Sequence, residues 1–213
     1  EPSNWRAATD LQNWLKEQKL TVISGIDTRS LTRRIRNTGA VTGVIAYDTN
    51  GIQERNISNL LKKAINWPGL KGMDLAREVS CKAPYSWDEE EWFPEFKIKT
   101  SIEKKFHVVV IDYGVKRNIL RCLASAGCKV SVVPAISTAQ DILARGPDGI
   151  FLSNGPGDPA ATAIYAVPEI QRLILSGIPI FGICLGLQLI AQAFNAKTYK
   201  LKFGHHGANH PVQ

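Results

Sequence analysis

Long apolar runs are missing from this 213-residue sequence, and nothing in it approaches the roughly 20 apolar residues that a membrane-spanning helix needs. The opening stretch, EPSNWRAATD, has no initiator Met, no basic segment and no apolar core, so it does not read as a secretory signal. It reads as the interior of a longer polypeptide. Cysteine is sparse and scattered: Cys81, Cys122, Cys128 and Cys184 form no CxxC pair. That spacing gives neither a zinc site nor the disulfide framework of a small secreted domain, and it favours a reducing compartment. The expected location is the cytoplasm, or an organelle if a transit peptide precedes the stretch given.

Long basic runs are also absent, although the net charge is +7. Residues 1–104 carry +2 of it and residues 105–213 carry +5, and neither half interleaves basic residues with aromatics. Nucleic-acid binding therefore has little support. The densest cationic stretch, DTRSLTRRIRNTG (27–39), has Leu31 and Ile35 on one helical face, Asp27 or Thr28 as a cap, and Gly39 to end it. It reads as a solvated helix face or a protein contact.

What is present is ordinary for a globular chain, 44% hydrophobic and 21% charged, enough to bury a core. The order of patterns is irregular at first. TDLQNWLKEQK (9–19) has helical spacing with Thr9 and Gln12 placed as a capping box. Residues 20–26 and 41–47 are β-like, and 57–67 are helical up to Pro68. Residues 82–104 carry prolines and charges without a sustained period and read as a linker. From residue 105 the pattern becomes regular. Strands FHVVVIDYG, KVSVVPA, GIFLS and IPIFGI alternate with helices at 115–127, 137–145, 167–177 and 184–194. Apolar strands alternating with helices imply a doubly wound parallel α/β sheet, with ligands at the carboxyl ends of its strands. The expected division is a smaller mixed α/β domain over 1–81, the linker 82–104, and the sheet domain over 105–213.

Two turns fall at such strand ends. GICLG (182–186) fits a nucleophile elbow, G-x-Nu-x-G, written with cysteine. Its glycines leave room for a sharp strand-to-helix turn. The following helix N-terminus favours negative charge on the Cys184 sulfur, and the N–H of Leu185 points toward a developing oxyanion. A buried cysteine in a glycine-tolerant turn is the plain alternative. SNGPGDP (153–159) combines two glycines, which allow close backbone approach, with two prolines, which stiffen the loop. It is neither a Walker loop nor G-x-G-x-x-G.

Together the loops resemble the class I glutamine amidotransferase domain. FLSNGPGDP, FGICLGLQLIA, DYGVKRNILR and KFGHHGANHPV, with IDTRSLTRRIR and PGLKGMDLAREVS before them, resemble the small, glutaminase subunit of carbamoyl-phosphate synthetase. The resemblance implies that Cys184 attacks the side-chain amide of glutamine to form a thioester. It implies that Gly155 and Leu185 supply the oxyanion N–H groups, and that Gly157 and Gln188, with Gly155 and Leu185, bind the substrate. It further implies ammonia delivery to a large subunit that uses ATP and Mg for carbamoyl phosphate, in arginine and pyrimidine biosynthesis. No cofactor or metal is expected in this chain.

Three departures accompany it. Leu187 stands where the family usually has histidine. The family's catalytic histidine and glutamate, an H-P-E motif, have no match, since His210-Pro211 is followed by Val212. A glutamine-contacting serine of the family would precede residue 1. The stretch is thus expected to be a central fragment, inactive by itself. His205 and His206 are read as structural, and His107 as a core histidine. The other readings are a GMP- or anthranilate-type glutaminase domain, or a non-catalytic binding subunit of the same fold.

Overall fold

The computed structural model describes residues 2–47, 54–92, 103 and 105–201. The chain divides into two units, residues 1–69 with 200–213, and residues 70–199. The first contains helices α1 (Leu11–Glu17), α2 (Thr28–Thr38) and α3 (Glu54–Ile65). Asp10, not a Thr9–Gln12 box, caps α1 by accepting from Asn13 N–H at 2.9 Å. Asp27 caps α2 in the same way at 2.8 Å, and Gly39 follows it at φ 94°. Residues 20–26 and 41–47 join no ladder among the described residues. Their β-branched composition favours strands only where a partner strand takes up their hydrogen bonds.

The second unit is built on a five-stranded sheet. Its elements are α4 (Leu75–Val79), β1 (Tyr85–Trp87), β2 (Phe106–Asp112), α5 (Arg117–Ser125), β3 (Cys128–Pro134), α6 (Ala139–Leu143), β4 (Gly149–Leu152), α7 (Pro159–Leu175), β5 (Ile180–Gly182) and α8 (Leu185–Ala193). The strand order is β1-β3-β2-β4-β5, with only β1 antiparallel. Alternation along each strand sends side chains to opposite faces. Val109, Ile111, Ile150 and Leu152 pack with Ile142 of α6, Ile170 and Leu173 of α7, and Leu189 of α8. Val110, Val132 and Phe151 pack on the other face with Leu120 of α5. Helices thus cover both faces, the doubly wound arrangement that the apolar strands imply. Each of these fully buried side chains contributes about 1.5–3 kcal/mol.

Two boundaries differ from the sequence expectation. Residues 82–104 do not form a linker throughout, because Tyr85–Trp87 pair with Val130–Val132 as an edge strand. Ser80 Oγ accepts from Ala135 N–H at 2.9 Å, and Cys81 N–H donates to Asp112 Oδ2 at 2.8 Å. Residues 70–81 therefore group with the sheet rather than with residues 1–69. Of the expected linker, residues 93–102 and 104 lie outside the described residues. Helix α7 also starts earlier than its period suggests, at Pro159, because Asp158 Oδ1 caps it through Ala160 N–H at 2.9 Å.

Candidate active site

The chain reverses direction across β2: β3 lies on one side of it and β4 on the other. The carboxyl ends of β2 and β4 thus border a switch-point crevice. Three loops meet there, after β2, after β4 and after β5.

The loop after β5 is the elbow. Cys184 sits between β5 and α8 at φ 55°, ψ −110°, a left-handed conformation that residues with a β-carbon rarely adopt. Such a residue costs about 1–3 kcal/mol and persists where its surroundings enforce it. Here they do. Ile183 N–H donates to Leu152 O at 3.1 Å, and Gly186 N–H donates to Ser153 O at 3.1 Å. A β-carbon on Gly182 would lie 2.6 Å from the Gly186 carbonyl carbon, and one on Gly186 would lie 2.3 Å from Leu152 O. Both positions must be glycine for the turn to close. Cys184 is exposed, and Leu185 behind it is buried at the first position of α8, where an N–H has no intrahelical carbonyl to bond.

The loop after β4 lies against the elbow. A β-carbon on Gly155 would meet Tyr113 O at 2.2 Å and Leu185 Cδ2 at 2.8 Å. Gly155 and Leu185, the two residues expected to carry oxyanion N–H groups, are thus packing neighbours. Gly157 has φ +98° and lies in the same loop. Gln188 is exposed one turn into α8, its N–H donating to Cys184 O at 3.1 Å. Leu187, where the resemblance leads one to expect histidine, is 59% exposed.

Two residues of this loop that sequence reasoning left without a role bind the strand ends together. Ser153 Oγ accepts from Tyr113 N–H at 2.9 Å and donates to Asn154 O at 2.8 Å. Asn154 accepts from Lys116 N–H and donates to Gly114 O, both at 3.0 Å. Their signal was chemical: hydroxyl and amide side chains bond backbone groups in turns.

A cavity of about 540 Å³ opens at the end of β2, lined by Cys81, Tyr85, Asp112, Gly114, Arg117 and Pro156. Cys184 does not line it. Cys81 is no rival nucleophile, because burial and then the Asp112 carboxylate push its thiol up to about 11. Burial raises Cys128 as well, and Cys122 shifts upward through desolvation and the hydrogen bond to Glu91.

His107 stands near the amino end of β2, its Nε2 2.8 Å from Ser131 Oγ and its Nδ1 3.3 Å from Gly146 O. It is the one histidine among the described residues and is not at the elbow. His205, His206 and His210 lie outside the described residues. Among the described residues no group of three or more potential metal ligands occurs, and no helix is long and apolar enough to cross a membrane.

Comparison with known proteins bears on both units. Residues 109–213 match the family described as glutamine amidotransferase class-I. Residues 1–45 match the carbamoyl-phosphate synthase small chain, CPSase domain. The carbamoyl phosphate synthase small chain of Caulobacter vibrioides is 55% identical over 212 residues, covering 99% of this chain and 54% of that protein. The small chains of Bartonella henselae and Bradyrhizobium diazoefficiens are each 54% identical over 213 residues, covering 100% of this chain and 53% of each relative. The chain spans about half the length of the curated relatives it matches.

Proposed function

Since residues 109–213 belong to the class-I glutamine amidotransferase family and the whole chain is a relative of carbamoyl phosphate synthase small chains, we propose that it hydrolyses glutamine to supply ammonia for carbamoyl phosphate synthesis. The observation that carries this reading is the backbone of Cys184, held at φ 55° between two glycines that tolerate no β-carbon. A strained, exposed thiol at a helix N-terminus has no packing role, whereas a nucleophile needs that setting.

In this reading the Cys184 sulfur bonds to the carboxamide carbon of glutamine, and the carbonyl π electrons move onto oxygen. The N–H groups of Gly155 and Leu185 hold that oxyanion, while Gly157 and Gln188 hold the substrate. Collapse restores the carbonyl and breaks the C–N bond, and the nitrogen leaves as ammonia after taking a proton. Water then cleaves the thioester, giving glutamate and the free thiol. Two acyl transfers replace one difficult amide hydrolysis. The steps need a base to move protons, and His107 is engaged elsewhere, so that group is sought outside the described residues. They call for no cofactor in this chain. ATP and Mg belong to a partner large chain, which takes the ammonia.

The test is Cys184→Ser in the assembled synthase. Glutamine-dependent synthesis is expected to disappear and ammonia-dependent synthesis to survive. A variant with normal glutamine turnover would sink the reading. A GMP- or anthranilate-type glutaminase is the second reading, and the match of residues 1–45 to the small-chain domain favours the first.

A further inference from the structure

The loop that carries Gly155 is gripped by a segment well before it in the chain. Gly72 N–H donates to Asp158 Oδ2 at 2.8 Å, and Asp158 N–H donates to Met73 O at 2.9 Å. One side chain thus bonds residue 72 with one oxygen and caps α7 with the other. Two residues further on, Asp74 Oδ1 accepts from Thr162 Oγ1 at 3.1 Å and from Tyr165 Oη at 3.3 Å. Burial and then the Asp74 charge push the Tyr165 phenol well above its usual range, so its hydroxyl stays a donor. The fit is tight here as well, though less so than at the elbow. A β-carbon on Gly157 would lie 2.7 Å from Met73 O and 2.9 Å from Leu75 N. Gly155, two residues earlier in the loop, is pressed against Tyr113 O and Leu185.

We infer that Gly72–Leu75 is a clamp on the 153–158 loop, and that Asp158 is a positioning residue that keeps the Gly155 N–H aimed at the oxyanion. The inference rests on the glutaminase reading above. Asp158 touches no reacting atom; it acts through the loop. An oxyanion donor works when it stands at about 2.7–3.1 Å from the developing charge, so a loop that drifts by half an ångström forfeits much of its effect.

The experiment compares wild type with Asp158→Asn in the protein as expressed from its own gene and assembled with its partner. Asparagine still caps α7 but offers the Gly72 N–H no carboxylate. Tyr165→Phe, which removes a single hydroxyl, is the milder companion and decides the matter if Asp158→Asn fails to fold. For Asp158→Asn, kcat for glutamine hydrolysis should fall about 10–100-fold with KM changed less than about threefold. Amide exchange at Gly155 and Gly157 should quicken about tenfold or more. Alkylation of Cys184 by iodoacetamide should keep its rate, since displacement at carbon builds no oxyanion. Tyr165→Phe should move the same readouts less far. Unchanged loop exchange or unchanged kcat overturns the inference, as does a parallel loss of kcat, substrate affinity and alkylation, the mark of a merely structural residue. If wild type releases no glutamate from glutamine, the glutaminase reading and the catalytic half of this inference fall together, and loop exchange alone decides whether the clamp exists.

Discussion

At the scale of single residues, the backbone of Cys184 separates stability from chemistry. Glycine relaxes at φ 55°, ψ −110°, whereas alanine keeps the strained β-carbon. Cys184→Gly should therefore melt higher than Cys184→Ala, by about 1 kcal/mol after the extra unfolded-state entropy of glycine is deducted. Thermal unfolding of the two variants side by side checks it, and equal midpoints would mean the turn is unstrained. A glutamine-mimicking electrophile should label Cys184 first, because Cys81, Cys122 and Cys128 are all shifted toward the unreactive thiol. Equal labelling of the four, read by mass spectrometry, would contradict the assignment. Cys81 also predicts a pH response. Folding favours its protonated form, so the stability it adds is complete below its ordinary value of 9.0 and is lost as pH rises toward about 11. Denaturant midpoints of wild type should fall more steeply across that window than those of Cys81→Ala.

At the scale of elements, α2 presents Arg29, Arg33 and Arg36 along one side beside Thr28 and Thr32, and none of its residues is buried. If the proposed function holds, reversing Arg29, Arg33, Arg34 and Arg36 to glutamate should weaken association with the proposed large chain at least about tenfold, while Cys184 alkylation stays normal. Unchanged association by sedimentation would remove this helix from the docking surface. The elements also mark where the sequence was legible. β2 to α8 could be read because buried parallel strands are continuous apolar runs and the helices between them keep their period. The elbow could be read because its glycines and thiol are five consecutive residues. The start of α7 was hidden by Pro168 inside it, though Asp158 and Pro159 are a cap and a first-turn proline. β1 could not be read at all. Three residues carry no period, and their pairing with β3 is a tertiary fact. The hold of residues 72–75 on the 153–158 loop was illegible for the same reason.

At the scale of the whole molecule, the two units differ in what they bury. Among the described residues of 1–69 only Gly39 is buried, and Trp5, Leu11, Ile57, Leu61 and Ile65 are each more than half exposed. The sheet unit encloses two apolar clusters. Expressed alone, residues 70–199 should unfold cooperatively, whereas residues 1–69 should unfold without a sharp transition and bind a hydrophobic dye. Calorimetry of the two pieces checks this, and a sharp transition from residues 1–69 would contradict it. The distance between the clamp and its loop has a consequence for synthesis. Gly72 and Asp158 are 86 positions apart. At about 5–20 residues per second, residues 72–75 wait roughly 4–17 seconds on the ribosome before the loop they hold is made. During that interval β2, β3 and β4 are completed in turn, so three parallel strands of the sheet precede the loop, while β5 follows it. The elbow comes later still, and a nascent chain that stalls before residue 158 lacks α7, β5 and α8, whose Ile170, Leu173, Leu185 and Leu189 complete one face of the core.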